Sequence, residues 1–146
     1  MPTRSSEATW TGDATAGSGT VSTESSAVDA GFACASRFLD GDGTNPEELM
    51  AAAHASCFAM TLARTLEEHG YQPERLHVEA EVTMEEIDRR AALIRSNLRV
   101  TATLEPDDAQ EIERLAEQAH SECPVSRALA GIDCTLSVAV EQPMLD

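Results

Sequence analysis

Fifteen consecutive residues without a formal charge, Leu49 to Ala63, constrain this chain more than any other stretch. Asn45 before them can cap a helix, Pro46 suits the first helical position, and Glu48 stands three residues after the cap, where it can close a capping box. The run predicts a helix from Asn45 to Glu67 that is apolar around its whole wheel, so it must be buried on nearly every side. A bilayer span needs about 20 apolar residues, and this run is shorter, so the helix belongs inside a soluble protein. Cys57 lies in its middle.

A chain of 146 residues with 42% hydrophobic content is a single domain, residues 1–146, with a real core. It has only three Phe, one Trp and one Tyr, so aliphatic and Ala side chains must fill that core. The formal charge is −16, and all ten basic residues are Arg. Phosphate binding needs a basic footprint, which excludes nucleic acid as a partner. The opening MPTRSSEATW has no apolar leader segment and nothing later resembles a membrane span, so a cytoplasmic protein is expected. Four Cys in a reducing compartment are core thiols, metal ligands or redox groups rather than staples.

Residues 1–43 are rich in Gly, Ser and Thr. Ala8 to Trp10 and Gly19 to Ser22 read as strands joined by Gly12-Asp13 and Gly17, and Gly31 to Leu39 as a third strand with Arg37 near its end. After the long helix, His69-Gly70 and Pro73 stop it. Leu76, Val78, Ala80, Val82 and Met84 alternate with polar residues, as do Leu98, Val100, Ala102 and Leu104, which predicts two long antiparallel strands. Pro106-Asp107-Asp108 opens a second helix with the stripe Ile112, Leu115, Ala116 and Ala119. Pro124 starts a short helix with Cys123 at its cap, and Cys134 to Val140 alternate in a last strand. The fold class is α+β, with antiparallel sheets around a long buried helix.

Two cysteines stand out by position. Cys123 at a helix N-terminus would feel N–H groups that favour the thiolate, whereas Cys57 in apolar surroundings would have its thiol pKa raised by desolvation. The paired spacings His54-x-x-Cys57 and His120-x-x-Cys123 also permit a tetrahedral zinc site made of all four. A peroxide or ligand sensor using the same thiols without turnover is a third reading.

The run Gly43-Thr44-Asn45-Pro46-Glu47-Glu48-Leu49-Met50-Ala51-Ala52-Ala53-His54-Ala55-Ser56-Cys57-Phe58 resembles the signature of the osmotically inducible protein C (OsmC) family. Cys123-Pro124-Val125-Ser126 resembles its second motif, and Gly19 to Ser25 its N-terminal strand. The resemblance implies a thiol-dependent peroxidase that reduces organic hydroperoxides, and also hydrogen peroxide, with no cofactor. It implies Cys57 as the peroxidatic thiol, Cys123 as the resolving one, and Arg37 and Glu47 as the Arg and Glu near the reactive thiol. Arg37 just before the long helix matches the OsmC branch rather than the organic-hydroperoxide-resistance (Ohr) branch. Glu47 would hold Arg37 in a bidentate pair that aims its fork. The resemblance further implies an intertwined homodimer and an external dithiol reductant, a dihydrolipoyl group being the first to try. Cys34 and Cys134 fall outside the motifs and are expected to be buried spectators.

Overall fold

The computed structural model describes residues 1–105 and 108–144. The chain divides into two compact units, Met1–Leu49 and Met50–Asp146.

In the first unit, β1 (Ser6–Thr11), β2 (Ser18–Thr23) and β3 (Asp29–Ala33) form an antiparallel sheet in that order. The first two strands fall where alternation and turn residues put them. The third ends at Ala33, not Leu39, and the chain turns directly into a short helix α1 (Cys34–Phe38) that carries Arg37. Ser36 supplies the physical reason. Its hydroxyl accepts from Ala33 N–H at 2.8 Å and donates to the Thr44 carbonyl at 2.8 Å, offering the backbone an alternative to the ladder.

The loop after α1 is fixed to the same sheet. Gly43 sits at φ +107°, and the next residue donates its N–H to the Gly31 carbonyl at 2.9 Å. This loop delivers the chain to the helix α2 (Pro46–Glu68). Asn45 caps it as expected, with Oδ1 accepting from Glu48 N–H at 2.7 Å. The reciprocal half of the box is replaced: the Glu48 carboxylate accepts from the Thr44 hydroxyl at 2.7 Å.

In the second unit, β4 (Arg75–Ile87) and β5 (Arg90–Thr103) make the expected antiparallel hairpin. Asp88 and Arg89 turn it with φ of 51° and 64°, the two left-handed positions that suit the twist of paired strands. β6 (Asp133–Glu141) lies on the other side of β5 and runs parallel to it, so this sheet is mixed rather than wholly antiparallel. Parallel pairing requires a crossover, and α3 (Ala109–Glu122) with α4 (Pro124–Ala128) supplies it. Asp108 caps α3 through Glu111 N–H at 3.2 Å, while Pro106 and Asp107, read as opening this helix, lie outside the described residues.

Phe58, Leu62 and Leu66 of α2, the inward phase Leu98, Val100, Ala102 and Leu104, and the α3 stripe Ile112, Leu115, Ala116 and Ala119 form one buried cluster. Each large side chain fully buried there is worth about 1.5–3 kcal/mol. On the other side of α2, Ala52, Ala53 and Ser56 are exposed, and Met60 retains 76% of its surface among the described residues. The expectation of burial on nearly every side therefore fails for the single chain, because only one face of the helix meets the sheet and α3. Gly70 at φ +85° ends the helix, with Tyr71 N–H reaching back to the Leu66 carbonyl at 2.9 Å. Among the described residues no helix is long and apolar enough to cross a membrane.

Candidate active site

In the first unit the structure joins Arg37 and Glu47. Arg37 Nε and Nη2 both donate to Glu47 Oε1, at 3.1 and 2.8 Å. The pair is therefore not the two-oxygen fork expected. Glu47 Oε2 is buried with no hydrogen-bond partner among the described residues. A buried carboxylate oxygen without a donor is costly. Helix α1 presents Arg37, and the first turn of α2 presents Glu47. The guanidinium also stacks 5.3 Å from the Phe38 ring centroid. Trp10, Phe32, Cys34, Arg37, Phe38 and Pro46 line a cavity of about 280 Å³, apolar save for the guanidinium and the thiol. Cys34, expected to be buried, is half-buried on this wall.

In the second unit the thiols of Cys57 and Cys123 lie near enough to shift one another's acidity. Both are free thiols. Cys57 is half-buried on α2, and Cys123, at the junction of α3 and α4, has no exposed surface. Burial pushes the Cys57 thiol up; the Val125 N–H opposes this, contact with Cys123 adds to it, and the net direction is upward. For Cys123 burial also pushes upward, but the Ser126 hydroxyl, Ser126 N–H, Cys57 and Val125 N–H outweigh it, and the thiol lies below its ordinary value. The backbone and hydroxyl donors at the start of α4 thus favour the Cys123 thiolate, as its position in the sequence predicts.

His54 and His120 do not join the cysteines as metal ligands. His54 has no exposed surface, and both of its ring nitrogens are taken by hydroxyls: Nδ1 lies 2.6 Å from Ser96 Oγ and Nε2 2.8 Å from Ser126 Oγ. His120 Nδ1 lies 3.0 Å from the same Ser126 Oγ. Among the described residues no three of His, Cys, Asp and Glu converge as metal ligands. The zinc reading of His54, Cys57, His120 and Cys123 is thereby corrected: the spacing had a different use, to bring two imidazoles to one serine.

Ser96 and Ser126 are the residues that spacing arguments passed over. A signal existed for each. Ser96 occupies the inward phase of β5, ahead of Leu98, Val100 and Ala102, where a polar side chain must have a buried partner. Ser126 closes the Cys123-Pro124-Val125-Ser126 motif and is 6% exposed. Cys134, also expected to be buried, is half-buried on β6. Its thiol points 3.8 Å from the Leu129 carbonyl, and burial, then Asp133 and Cys123, push it up.

Residues 39–137 match the family described as OsmC-like protein. The chain is 37% identical to the peroxiredoxin OsmC of Escherichia coli (strain K12) over 124 residues, 84% of this chain and 87% of that protein. It is 41% identical to the organic hydroperoxide resistance protein OhrA of Bacillus subtilis (strain 168) over 106 residues, 66% of this chain and 67% of that one. Among solved structures, an OsmC-like protein of unknown function from Vibrio cholerae superposes with a TM-score of 0.76 at 14% identity, covering 95% of this chain and all of its own; it is a likeness of fold.

Proposed function

This chain belongs to the OsmC-like protein family, and on that footing we propose that it is a thiol-dependent peroxidase that reduces organic hydroperoxides. A peroxide-related redox role is supported by the names of its relatives, a peroxiredoxin and an organic hydroperoxide resistance protein. The observation that carries the finer reading is the pairing of the Cys57 and Cys123 thiols, each of which shifts the other's acidity, Cys57 half-buried and Cys123 without exposed surface. Exposure rather than acidity selects the peroxidatic thiol. Cys123 is the more acidic, yet a peroxide cannot reach it; a proton passing from Cys57 to Cys123 within the pair leaves the charge on the accessible sulfur.

The cycle then follows with its atoms balanced. Cys57 thiolate attacks the distal oxygen of the hydroperoxide, the O–O bond breaks, and the alkoxide takes a proton to leave as the alcohol, with Cys57 now a sulfenic acid. Cys123 thiolate attacks that sulfur, hydroxide leaves and is protonated to water, and a disulfide forms. A dithiol reduces it by exchange; a dihydrolipoyl protein is the class we would test first, on family resemblance. On the family resemblance, the Arg37 guanidinium, held by Glu47, is assigned to the peroxide oxygens. The uncovered face of α2 around Met60 is assigned to a second copy of the chain in a homodimer.

The test is consumption of cumene hydroperoxide with dithiothreitol, wild type beside Cys57→Ser and Cys123→Ser. Many turnovers are expected in the wild type, none in Cys57→Ser, and a single reduction followed by a stall in Cys123→Ser. One reduction per thiol pair in the wild type, with no further turnover, would favour a sensor. Full activity in Cys57→Ser would overturn the reading.

A further inference from the structure

The hydrogen bonds around Ser126 do not belong to the reacting pair, yet they converge on the residue that closes the Cys123 motif. A serine hydroxyl has one hydrogen to donate and two lone pairs to accept with. His54 Nε2 at 2.8 Å and His120 Nδ1 at 3.0 Å both face Ser126 Oγ. If each imidazole donates its N–H there, both lone pairs are used and the single hydrogen is left for another acceptor. The Cys123 sulfur is the acceptor the geometry points to: Cys123 is the N-cap of α4, Ser126 stands in the first turn of that helix, and the Ser126 side chain is among the groups that lower the thiol. Cys123 has no exposed surface, so water cannot supply a donor to its thiolate, and a buried anion must draw every hydrogen within reach.

The accounting closes on the far side as well. A neutral His54 that donates from Nε2 must accept at Nδ1, and the Ser96 hydroxyl stands 2.6 Å away to donate there. His120 donates from Nδ1. It lines, with Ser126, Arg127 and Cys134, an open surface cavity of about 340 Å³. His120 is kept in place by the Phe58 ring, edge-on at a centroid separation of 6.3 Å. Every hydrogen in the chain Ser96–His54–Ser126–Cys123 then runs in one direction, toward the sulfur.

We propose that Ser96, His54 and His120 are positioning residues that fix the Ser126 hydroxyl as a donor to Cys123 and so hold this thiol ready to close the disulfide. The proposal rests on the reading of Cys123 as the resolving thiol, and deepens it. None of the four residues touches the peroxide. Their effect belongs to the second step of the cycle, capture of the sulfenic acid, and not to the first.

Stopped-flow oxidation with one equivalent of cumene hydroperoxide, with dimedone trapping of the sulfenic acid, separates the two steps. In Ser126→Ala, disulfide closure slows on the order of tenfold and trapped Cys57 sulfenic acid accumulates, because a hydrogen bond to a charged group is lost; Cys57 oxidation itself changes less than about twofold. Ser126→Thr, which keeps the hydroxyl, restores closure. His120→Asn, whose amide can donate from the place of Nδ1, stays near wild type, whereas His120→Ala slows closure several-fold. A merely structural role would not distinguish these pairs. Ultraviolet absorbance of the thiolate in the reduced proteins gives a reading that needs no peroxide: the thiolate fraction at neutral pH falls on the order of tenfold in Ser126→Ala and returns in Ser126→Thr. Wild-type thiolate content in Ser126→Ala would overturn the network. A Cys57 that no hydroperoxide oxidises, with the thiolate loss still seen, would overturn the peroxidase reading and leave the network standing.

Discussion

With both ring nitrogens held by hydroxyls and no exposed surface, His54 can take up a second proton only by reversing one of those hydrogen bonds inside the core. Burial, and then the neighbouring His120, hold its folded-state pKa below the ordinary 6.5. The unfolded chain therefore binds the proton more tightly than the folded one. Stability from this group is complete above about pH 6.5 and is lost as the pH falls from there through the folded value. The expected result is a melting temperature that drops between about pH 7 and pH 5 more steeply in the wild type than in His54→Gln, so that the gap between them narrows with acid. A gap independent of pH would show that His54 does not titrate with folding. Arg37 makes a different prediction, about activity. Its two donors share one oxygen of Glu47, and a Lys ammonium cannot reproduce that planar fork. If the Arg37–Glu47 pair serves the peroxide, Arg37→Lys lowers kcat/KM by about ten- to a hundredfold, a loss of roughly 1.4–2.8 kcal/mol of transition-state stabilisation. Unchanged steady-state kinetics with cumene hydroperoxide would remove Arg37 from the site.

The loop that carries the chain from α1 to α2 is held by backbone as much as by side chains. A Cβ on Gly43 would collide with the Gly31 carbonyl, and its φ of +107° lies in the region where L side chains are strained. Gly43→Ala should therefore cost about 1–3 kcal/mol, read as a lower urea midpoint; an unchanged midpoint would mean the loop relaxes freely. This loop also marks where sequence patterns stop being informative. Elements long enough for a period to repeat were legible: the alternation of β4 and β5, the stripe of α3, and the capped start of α2 all stand where they were expected. Gly31 to Leu39 reads as one strand because it is too short to show that its period changes. Ser36 makes the change through hydrogen bonds to Ala33 and Thr44 that no periodicity encodes. The direction of β6 was equally hidden, since alternation gives a strand its faces but not its neighbour. Cys123 stands out by its place at a helix start, Cys57 as a nucleophile only by motif resemblance, and His54 and His120 by spacing. The serines that bind those histidines carry quieter signals, Ser96 as a polar residue in an apolar phase and Ser126 as the close of the Cys123 motif.

The charge of the chain and its uncovered helix bear on the same question, what surrounds the folded molecule. Met60 is the largest apolar side chain on the exposed face of α2. If a second copy covers that face, Met60→Glu should shift sedimentation from dimer toward monomer, and a monomeric wild type would end the assignment. Salt acts in two opposing ways on such a molecule. Screening weakens the exposed ion pairs, such as Arg99 with Glu79 and Glu81 and Arg114 with Glu111, each worth about 0–1 kcal/mol. It also weakens repulsion among 26 acidic residues balanced by only ten Arg, a net charge of −16. The attractive pairs are few and short, whereas the repulsion acts over the whole surface at separations that the Debye length spans at low salt, about 30 Å at 0.01 M, and cuts off at high salt, about 3 Å at 1 M. Repulsion therefore loses more than attraction does, and compact chains gain more than unfolded ones, whose charges are already far apart. The melting temperature should rise by several degrees between low and molar sodium chloride, with most of the gain before about 0.2 M, where the Debye length is already short. A melting temperature that stays flat or falls would mean that the ion pairs outweigh the excess charge.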